Sequence, residues 1–418
     1  MRKIQLKNPF TPRSLASGEG NFFGRSREID ALQDNLELGH IAIHGPVGIG
    51  KSSLLARISR IMEGELNAEH NSTLVQGVCS KEIKNSDDAA AMILSALPVQ
   101  TQCKHKIKIG APFFGYEGES TATPATSEKP MTVLRRFVEE AIGPQTEYLI
   151  LAFDQAENCP SALAALVRTL STTIELKGCH KLRLVLSGVS PYFEKVAQGD
   201  TGLNRVFSQT RLLPLHPDEA RELVEAKFRI VVKESKKLGI DVRIFPKVVD
   251  GIVRLSGGHP HVIQLLGSHL IQHENEDPDD LIDAKDLGGA VRRICLEDRG
   301  DIYTKIIEGL ETIDMIRPLV SLLALAESKH PTLINRKDAQ EVVGSDVLEE
   351  FIKRDIFIRD GPRKLRLVDE FLALRLSLDQ EDEPGTGQEL HYDEHEIEGL
   401  FEEDSGDDID EWSDSEDW

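Results

Sequence analysis

The chain has 418 residues, 40% hydrophobic and 29% charged, with a formal net charge of −22. That length exceeds one compact core and calls for two or three domains, while no apolar run approaches the roughly 18 residues a membrane span needs. The charge is uneven: residues 379–418 hold 19 of the 71 acidic side chains and no Lys or Arg, so the preceding 378 residues carry 52 acidic and 49 basic groups. The basic N-terminus is followed by no apolar core, which argues against a secretory signal. Cys79, Cys103, Cys159, Cys179 and Cys295 form no C-x-x-C pair, a pattern that suits a reducing cytoplasmic setting better than a disulfide framework or a zinc site.

Residues 1–20 combine Asn8-Pro9-Phe10, Thr11-Pro12 and a Ser/Gly-rich run, an arm with little regular structure. Ile29, Leu32 and Leu36 then follow helical spacing behind Phe22-Phe23-Gly24-Arg25, with Ser26 as the expected N-cap. A short strand, Ile41-Ala42-Ile43-His44, enters Gly45-Pro46-Val47-Gly48-Ile49-Gly50-Lys51-Ser52-Ser53, and a helix-forming segment leaves it. The loop reads G-x-x-x-x-G-K-S, the phosphate-binding P-loop. Its glycines let the backbone curl N–H groups onto phosphate oxygens, and the helix adds its unpaired N-terminal N–H groups. Lys51 is placed to reach the β- and γ-phosphates and Ser52 to ligate Mg²⁺, which predicts a nucleoside triphosphate ligand. About twenty residues before the P-loop, F-x-G-R-x-x-E-I-x-x-L (Phe22 to Leu32) resembles the entry segment of AAA+ and STAND-type ATPases. The resemblance implies that Gly24 and Arg25 border the nucleotide, and that the nucleotide is ATP.

Residues 73–79 read as the second strand after a helix over 52–63, and Asp87 to Leu97 as a helix capped by Ser86 or Asp87. Residues 104–130 break the pattern. Alternating Lys104 to Ile109, then Phe113-Phe114-Gly115-Tyr116 and a Thr/Ser/Pro stretch, read as a hairpin and loop inserted in the core. Its basic and aromatic residues would suit single-stranded nucleic acid; the simpler alternative is a solvated hairpin packing its own aromatics. Thr132 to Ile142 is helical, and Tyr148 to Asp154 is a buried strand ending in an acid, a Walker B element that brings a carboxylate to Mg²⁺ beside the P-loop. In AAA+ enzymes the next residue is commonly a Glu that activates water; here Gln155, Ala156 and Glu157 follow. An amide orients water but takes no proton, so either Glu157 is the base or hydrolysis is slow.

Residues 182–187 form a further strand, and Ser187 at its end resembles sensor 1, which reads the γ-phosphate. Arg205 stands where AAA+ proteins carry an arginine finger directed at a neighbour's γ-phosphate. Arg211 is its competitor, and a surface ion pair is the alternative for both. A long amphipathic helix runs from Asp218, its expected cap, to Lys236. Ser256-Gly257-Gly258-His259-Pro260 opens another helix with Pro in its first turn. It looks like the G-x-P motif of STAND and initiator-type ATPases, which implies that His259 and Pro260 lie where a helical lid meets the nucleotide. The sensor 2 arginine is missing, and His259 either contacts phosphate or caps the helix.

Past an acidic linker at 274–283, helices are expected at 302–310, 315–326, 336–342 and 346–354, then a hairpin turning at Asp360-Gly361-Pro362, together a winged helix. Arg363, Lys364 and Arg366 on the wing would suit DNA phosphates. Asp346, Glu349 and Glu350 on the candidate recognition helix would repel them, so contact within the chain or with protein is the preferred reading. Residues 379–418, with isolated Leu400, Phe401, Trp412 and Trp418, bury too little apolar area to fold alone. They read as a solubilising disordered tail or as a recognition segment for a partner protein.

The expected fold is α/β: a P-loop NTPase parallel sheet with a helical lid, then a winged-helix domain and a disordered acidic tail. Its parts are an arm over 1–20, an ATPase core over 21–216, a lid over 217–284, the winged helix over 285–378 and the tail over 379–418. The expected function is an ATP- and Mg²⁺-dependent switch, cytoplasmic and free of membrane, that assembles as a homo-oligomer or with a partner. An initiator- or loader-like DNA-binding ATPase and a hydrolysis-poor signalling scaffold are the alternatives.

Overall fold

The computed structural model describes residues 5–12, 14–16, 22–61, 72–97, 128–144, 146–177, 180–190, 192–197, 203–297, 302–329 and 331–381. The body of the expected inserted hairpin and nearly all of the acidic tail lie outside these residues. The core opens with α1 (Ser26–Leu38), β1 (His40–His44), the P-loop and α2 (Lys51–Arg60). It continues through β2 (Thr73–Val78), α3 (Ser86–Ser95), α4 (Pro130–Ala141) and β3 (Leu149–Asp154). Then come α5 (Pro160–Lys177), β4 (Leu182–Gly188), α6 (Tyr192–Ala197), α7 (Leu203–Val206) and β5 (Phe207–Arg211).

The five strands form one parallel sheet in the order β2–β3–β4–β1–β5. Every residue of β3 is buried, as a sheet covered on both faces requires. On one face Ile93, Phe137, Leu166 and Val196 join Leu151, Phe153 and Leu184 in a single cluster. On the other, Leu32, Leu36, Leu54 and Leu55 from α1 and α2 cover Ile41, Ile150 and Val185. The order sets β4 between the strand feeding the P-loop and the strand ending in Asp154. The carboxyl ends of all three open on the same crevice, where open α/β sheets bind ligands.

The segment expected as a lid, 217–284, holds α8 (Pro217–Lys237), β6 (Arg243–Ile244), α9 (Pro246–Ser256), α10 (Pro260–Glu276) and β7 (Leu281–Ile282), and α11 (Ala284–Glu297) follows. Beyond it lie α12 (Ile302–Glu311), α13 (Ile316–Leu323), β8 (Ser328–Lys329), β9 (Thr332–Asn335), α14 (Arg336–Val343) and α15 (Ser345–Lys353). The hairpin β10 (Phe357–Asp360) and β11 (Lys364–Leu367) and the helix α16 (Glu370–Glu381) close the described chain. β10–β11–β9–β8 form an antiparallel sheet. One apolar cluster runs unbroken from Val224, Ile252 and Leu266 in the lid through Val291 to Leu322, Phe351 and Phe371.

The helices expected over 302–354 form within about three residues of their expected ends. The caps differ. α1 begins after Arg25 in left-handed backbone, without a side-chain cap from Ser26. α3 is capped by Asn85 in a reciprocal box with Asp88, in place of the expected Ser86 or Asp87, and α8 by His216 with Glu219, in place of Asp218. In each case the capping side chain is the one whose own backbone is still extended, as the geometry of an N-cap demands. Glu274, expected in the linker, is a buried residue of α10.

Candidate nucleotide-binding site

The P-loop bends through left-handed glycines at Gly48 (φ 79) and Gly50 (φ 98), conformations an L side chain adopts only with strain. At Gly45 an added Cβ would stand 2.7 Å from Leu212 O, so the loop's entrance is pressed against the end of β5. Lys51 curls back and donates to Gly45 O at 2.8 Å and Pro46 O at 2.7 Å. Burial lowers its pKa to about 8, against the pull of Glu157, Asp154 and Asp355. Ser52 stands at the first turn of α2. Its neighbour Ser53 is engaged elsewhere, accepting the Ala16 N–H at 3.1 Å from the N-terminal arm.

Across β4, Asp154 is buried, and its Oδ1 accepts from Ser187 Oγ at 3.0 Å and from the Gln155 N–H at 3.0 Å. Both bonds fall on the same oxygen, Oδ1. Ser187, expected to read the γ-phosphate, is engaged here with the Asp154 carboxylate, whose orientation it fixes. Gln155 sits in left-handed backbone at φ 55, and its Oε1 accepts from Asn158 Nδ2 at 3.3 Å. Glu157 belongs to the same cluster, but its Oε2 accepts the Val189 N–H at 3.1 Å and packs against Gly188, where a Cβ would meet it at 2.7 Å. Buried Tyr192 ties the strand ends together, its hydroxyl within reach of Leu186 O at 2.8 Å and Ile43 O at 3.1 Å.

Arg25, buried at 5% exposure, donates through Nη2 to Ile49 O at 3.2 Å and pairs through Nη1 with Glu28 at 2.7 Å. Gly24 and Arg25 both need positive φ, and the Arg25 N–H donates to Glu219 Oε1 at 3.2 Å. The entry segment thus braces the P-loop from behind while holding the first helix of the lid. From the lid, His259 Nε2 lies 3.1 Å from Val47 O. Burial, with smaller pushes from His261, Lys51 and Arg25, lowers the ring's pKa to about 3. The neutral ring must carry its proton on Nε2 to face a carbonyl, so Nδ1 is a buried acceptor without a partner. In this placement His259 holds the loop and offers phosphate no donor. Pro260 opens α10 at its first turn.

The two arginines separate. Arg205 is exposed on the four-residue α7. Arg211 closes β5 and pairs with Asp355, a residue that carries no motif; its place beside Lys51 depends on packing between segments 144 residues apart. Among the described residues no helix is long and apolar enough to cross a membrane, and no group of three or more His, Cys, Asp and Glu gathers to hold a metal.

Residues 21–186 match the family model of the AAA ATPase domain. No curated protein matches the chain. Among solved structures, the Walker-type ATPase PABY2304 of Pyrococcus abyssi superposes with a TM-score of 0.56 at 17% identity, covering 87% of this chain and 98% of that one. The ORC2 protein of Aeropyrum pernix, solved as ADPNP and ADP complexes, gives 0.54 at 14% identity over 90% of this chain and 100% of its own. Those likenesses concern the fold, and the family match covers the segment that carries the P-loop and Asp154, ending one residue before Ser187. Residues 21–186 therefore match an AAA ATPase domain, and the fold in which they sit is that of Walker-type ATPases.

Proposed function

We propose that this protein is an ATP-dependent molecular switch. ATP with Mg²⁺ at the P-loop fixes the lid against the core, the closed form assembles with itself or with a partner protein, and slow hydrolysis resets it. The observation that carries this reading is the contact of His259, at the head of α10, with Val47 inside the P-loop. A loop that moves to receive phosphate must move the lid's leading residue with it.

Lys51 would neutralise the β- and γ-phosphates, and backbone N–H groups from Gly48 to Ser52 would cradle them. Ser52 Oγ and Asp154 fit Mg²⁺, a cation bound by one or two protein ligands with phosphate and water supplying the rest. When bound, it would spread the charge that develops on the phosphate oxygens. Gln155 orients water without taking its proton, and Glu157 is occupied by the Val189 N–H. Turnover is therefore slow, as expected when a general base worth roughly 10²–10⁴-fold is missing.

The helices and hairpin after residue 302 serve as a winged-helix unit that packs back on the chain. Part of the wing's positive charge is consumed internally: Arg359 pairs with Glu349 and Lys364 with Glu327, while Arg336 at the start of α14 also reaches Glu349. That favours protein or intramolecular contact over DNA, and the tail 379–418 is the segment offered to a partner.

The test is ATP turnover and nucleotide binding at several protein concentrations, for wild type, Lys51→Ala, Gln155→Glu and Glu157→Gln. Lys51→Ala should lose nucleotide binding, and Gln155→Glu should raise turnover at least tenfold, within the roughly 10²–10⁴-fold reach of a general base. Fast wild-type turnover that collapses in Glu157→Gln would show that Glu157 is the base and that the slow-switch reading is wrong.

A further inference from the structure

β5 ends at Arg211 beside the strand that feeds the P-loop: Arg211 is the register partner of His44, and the Leu212 N–H donates to His44 O at 2.8 Å. From there the Arg211 guanidinium reaches Asp355, in the turn between α15 and β10. The Asp355 side chain is only 2% exposed and its backbone is left-handed at φ 59. An arginine and a carboxylate can form two parallel hydrogen bonds. Here only Oδ1 is engaged, and both Asp355 Oδ2 and Arg211 Nε are buried without a partner. The pair is thus incomplete, with an acceptor and a donor left unmet inside the nucleotide face.

The same carboxylate reaches electrostatically into the site. Its charge favours the protonated forms of Lys51 and His44, opposing the burial that lowers both. Arg211 thus pairs directly with an anion delivered by the C-terminal unit, and Lys51 feels the same anion after the stronger pulls of Glu157 and Asp154.

We propose that Arg211 binds the terminal phosphate of the nucleoside triphosphate held in its own subunit, and that Asp355 is the internal anion that takes the phosphate's place in the docked form. Nucleotide and C-terminal unit then compete for one guanidinium. A phosphate offers several acceptor oxygens and can satisfy Arg211 Nε as well as its terminal nitrogens; a diphosphate leaves Arg211 to Asp355. The differential affinity that any ligand-driven shift requires resides in that single exchange. Arg211 reads phosphate in cis because it is part of the sheet and held from within the chain, unlike exposed Arg205. The proposal rests on the switch reading above and names the residues through which the switch acts.

The experiment measures calorimetric Kd values for Mg²⁺-ATP and for ADP on the full chain, as wild type, Asp355→Asn, Arg211→Ala and Lys51→Ala. It adds hydrogen exchange over residues 345–367 of the wild type with each nucleotide. Asn tolerates left-handed backbone and keeps the side chain's shape, so Asp355→Asn should fold. It should tighten ATP about tenfold, within the roughly 5–150-fold typical of coupling between sites, and leave ADP within about twofold. Arg211→Ala should erase the preference for ATP over ADP, and exchange over 345–367 should rise with ATP alone. An ATP/ADP ratio unchanged in both variants, or equal exchange with the two nucleotides, overturns the competition; if Lys51→Ala still abolishes binding, the switch reading survives. Failure of the wild type to bind either nucleotide would overturn both.

Discussion

Lys51 sits in a site dry enough to loosen its own proton. Its pKa, lowered by burial to about 8 from 10.5, means that the charge meant for phosphate is fully present at pH 7 and is lost over the next two units. Bound phosphate holds that proton, so binding takes one up above pH 8. The Kd for ATP should therefore weaken by up to about tenfold per pH unit between pH 8 and 10. Folding responds with the opposite sign. The unfolded lysine binds its proton up to pH 10.5 and the folded one only to about 8, so between those values deprotonation relieves a cost of folding and stability rises. Calorimetry at pH 7, 8 and 9 checks the first claim. Lys51→Arg, charged throughout, should flatten the slope whatever its absolute affinity, and a wild-type Kd indifferent to pH would refute the assignment.

At the scale of elements, the lid is fixed by close approaches that only glycine permits. Gly258 has φ 81, and a Cβ there would lie 2.3 Å from Leu215 O, whose own N–H donates to Gly258 O at 2.8 Å. Gly239 has a similar φ of 76 but open space around it. Gly239→Ala should cost only the left-handed penalty, about 1–2 kcal/mol, whereas Gly258→Ala should add about 1–3 kcal/mol of overpacking and loosen the lid at His259. Denaturant unfolding of the two variants side by side separates strain from collision. The N-terminal arm is a second such fastening. Phe10 lies edge-on to Phe228 at 5.4 Å and fills the space beside Gly267, while Asn275 exchanges two hydrogen bonds with Leu6 and Lys227 donates to Pro9 O. Phe10→Ala should cost about 3–5 kcal/mol, read by the same unfolding midpoint, although the arm's described residues form no helix or strand.

Much of this was legible in the sequence because its signals are local. The P-loop, the acid ending β3, the Pro-led start of α10 and the helical periods over 302–354 each declare themselves within a dozen residues. The rest depends on neighbours. β6 and β7 are two residues long and pair only with each other, too short for alternation to register. β8 and β9 likewise extend the expected hairpin into a four-stranded sheet. His216 became a cap because its backbone stays extended ahead of Pro217, and Asp355 became a site residue because α15 carries it to the end of β5.

Across the whole molecule, the nucleotide face is shared by three bodies: the sheet, the lid that contributes His259, and the C-terminal unit that contributes Asp355. The second and third share a hydrophobic cluster, further tied by buried Glu370, which accepts from Thr332 N–H and Oγ and packs beside Gly257 at the end of α9. Among the described residues, Lys353–Glu194 and Arg211–Asp355 are ionic contacts between the C-terminal unit and the sheet with its helices, and physics ranks them differently. Lys353 and Glu194 meet at 2.7 Å with side chains 41% and 61% exposed, where water and salt leave such a pair about 0–1 kcal/mol. Arg211–Asp355 is buried at its acidic end, and removing one partner strands the other. Lys353→Ala should thus leave the thermal midpoint within about 2–4 °C of wild type, as expected for about 1 kcal/mol or less in a chain of this size. It should leave the ATP-to-ADP affinity ratio unchanged. Arg211→Ala should lower the midpoint and abolish the ratio in the same protein. If Lys353→Ala matched it on both readouts, docking would be held by charge at the surface, and the buried pair would have no privileged part in linking nucleotide to the C-terminal unit.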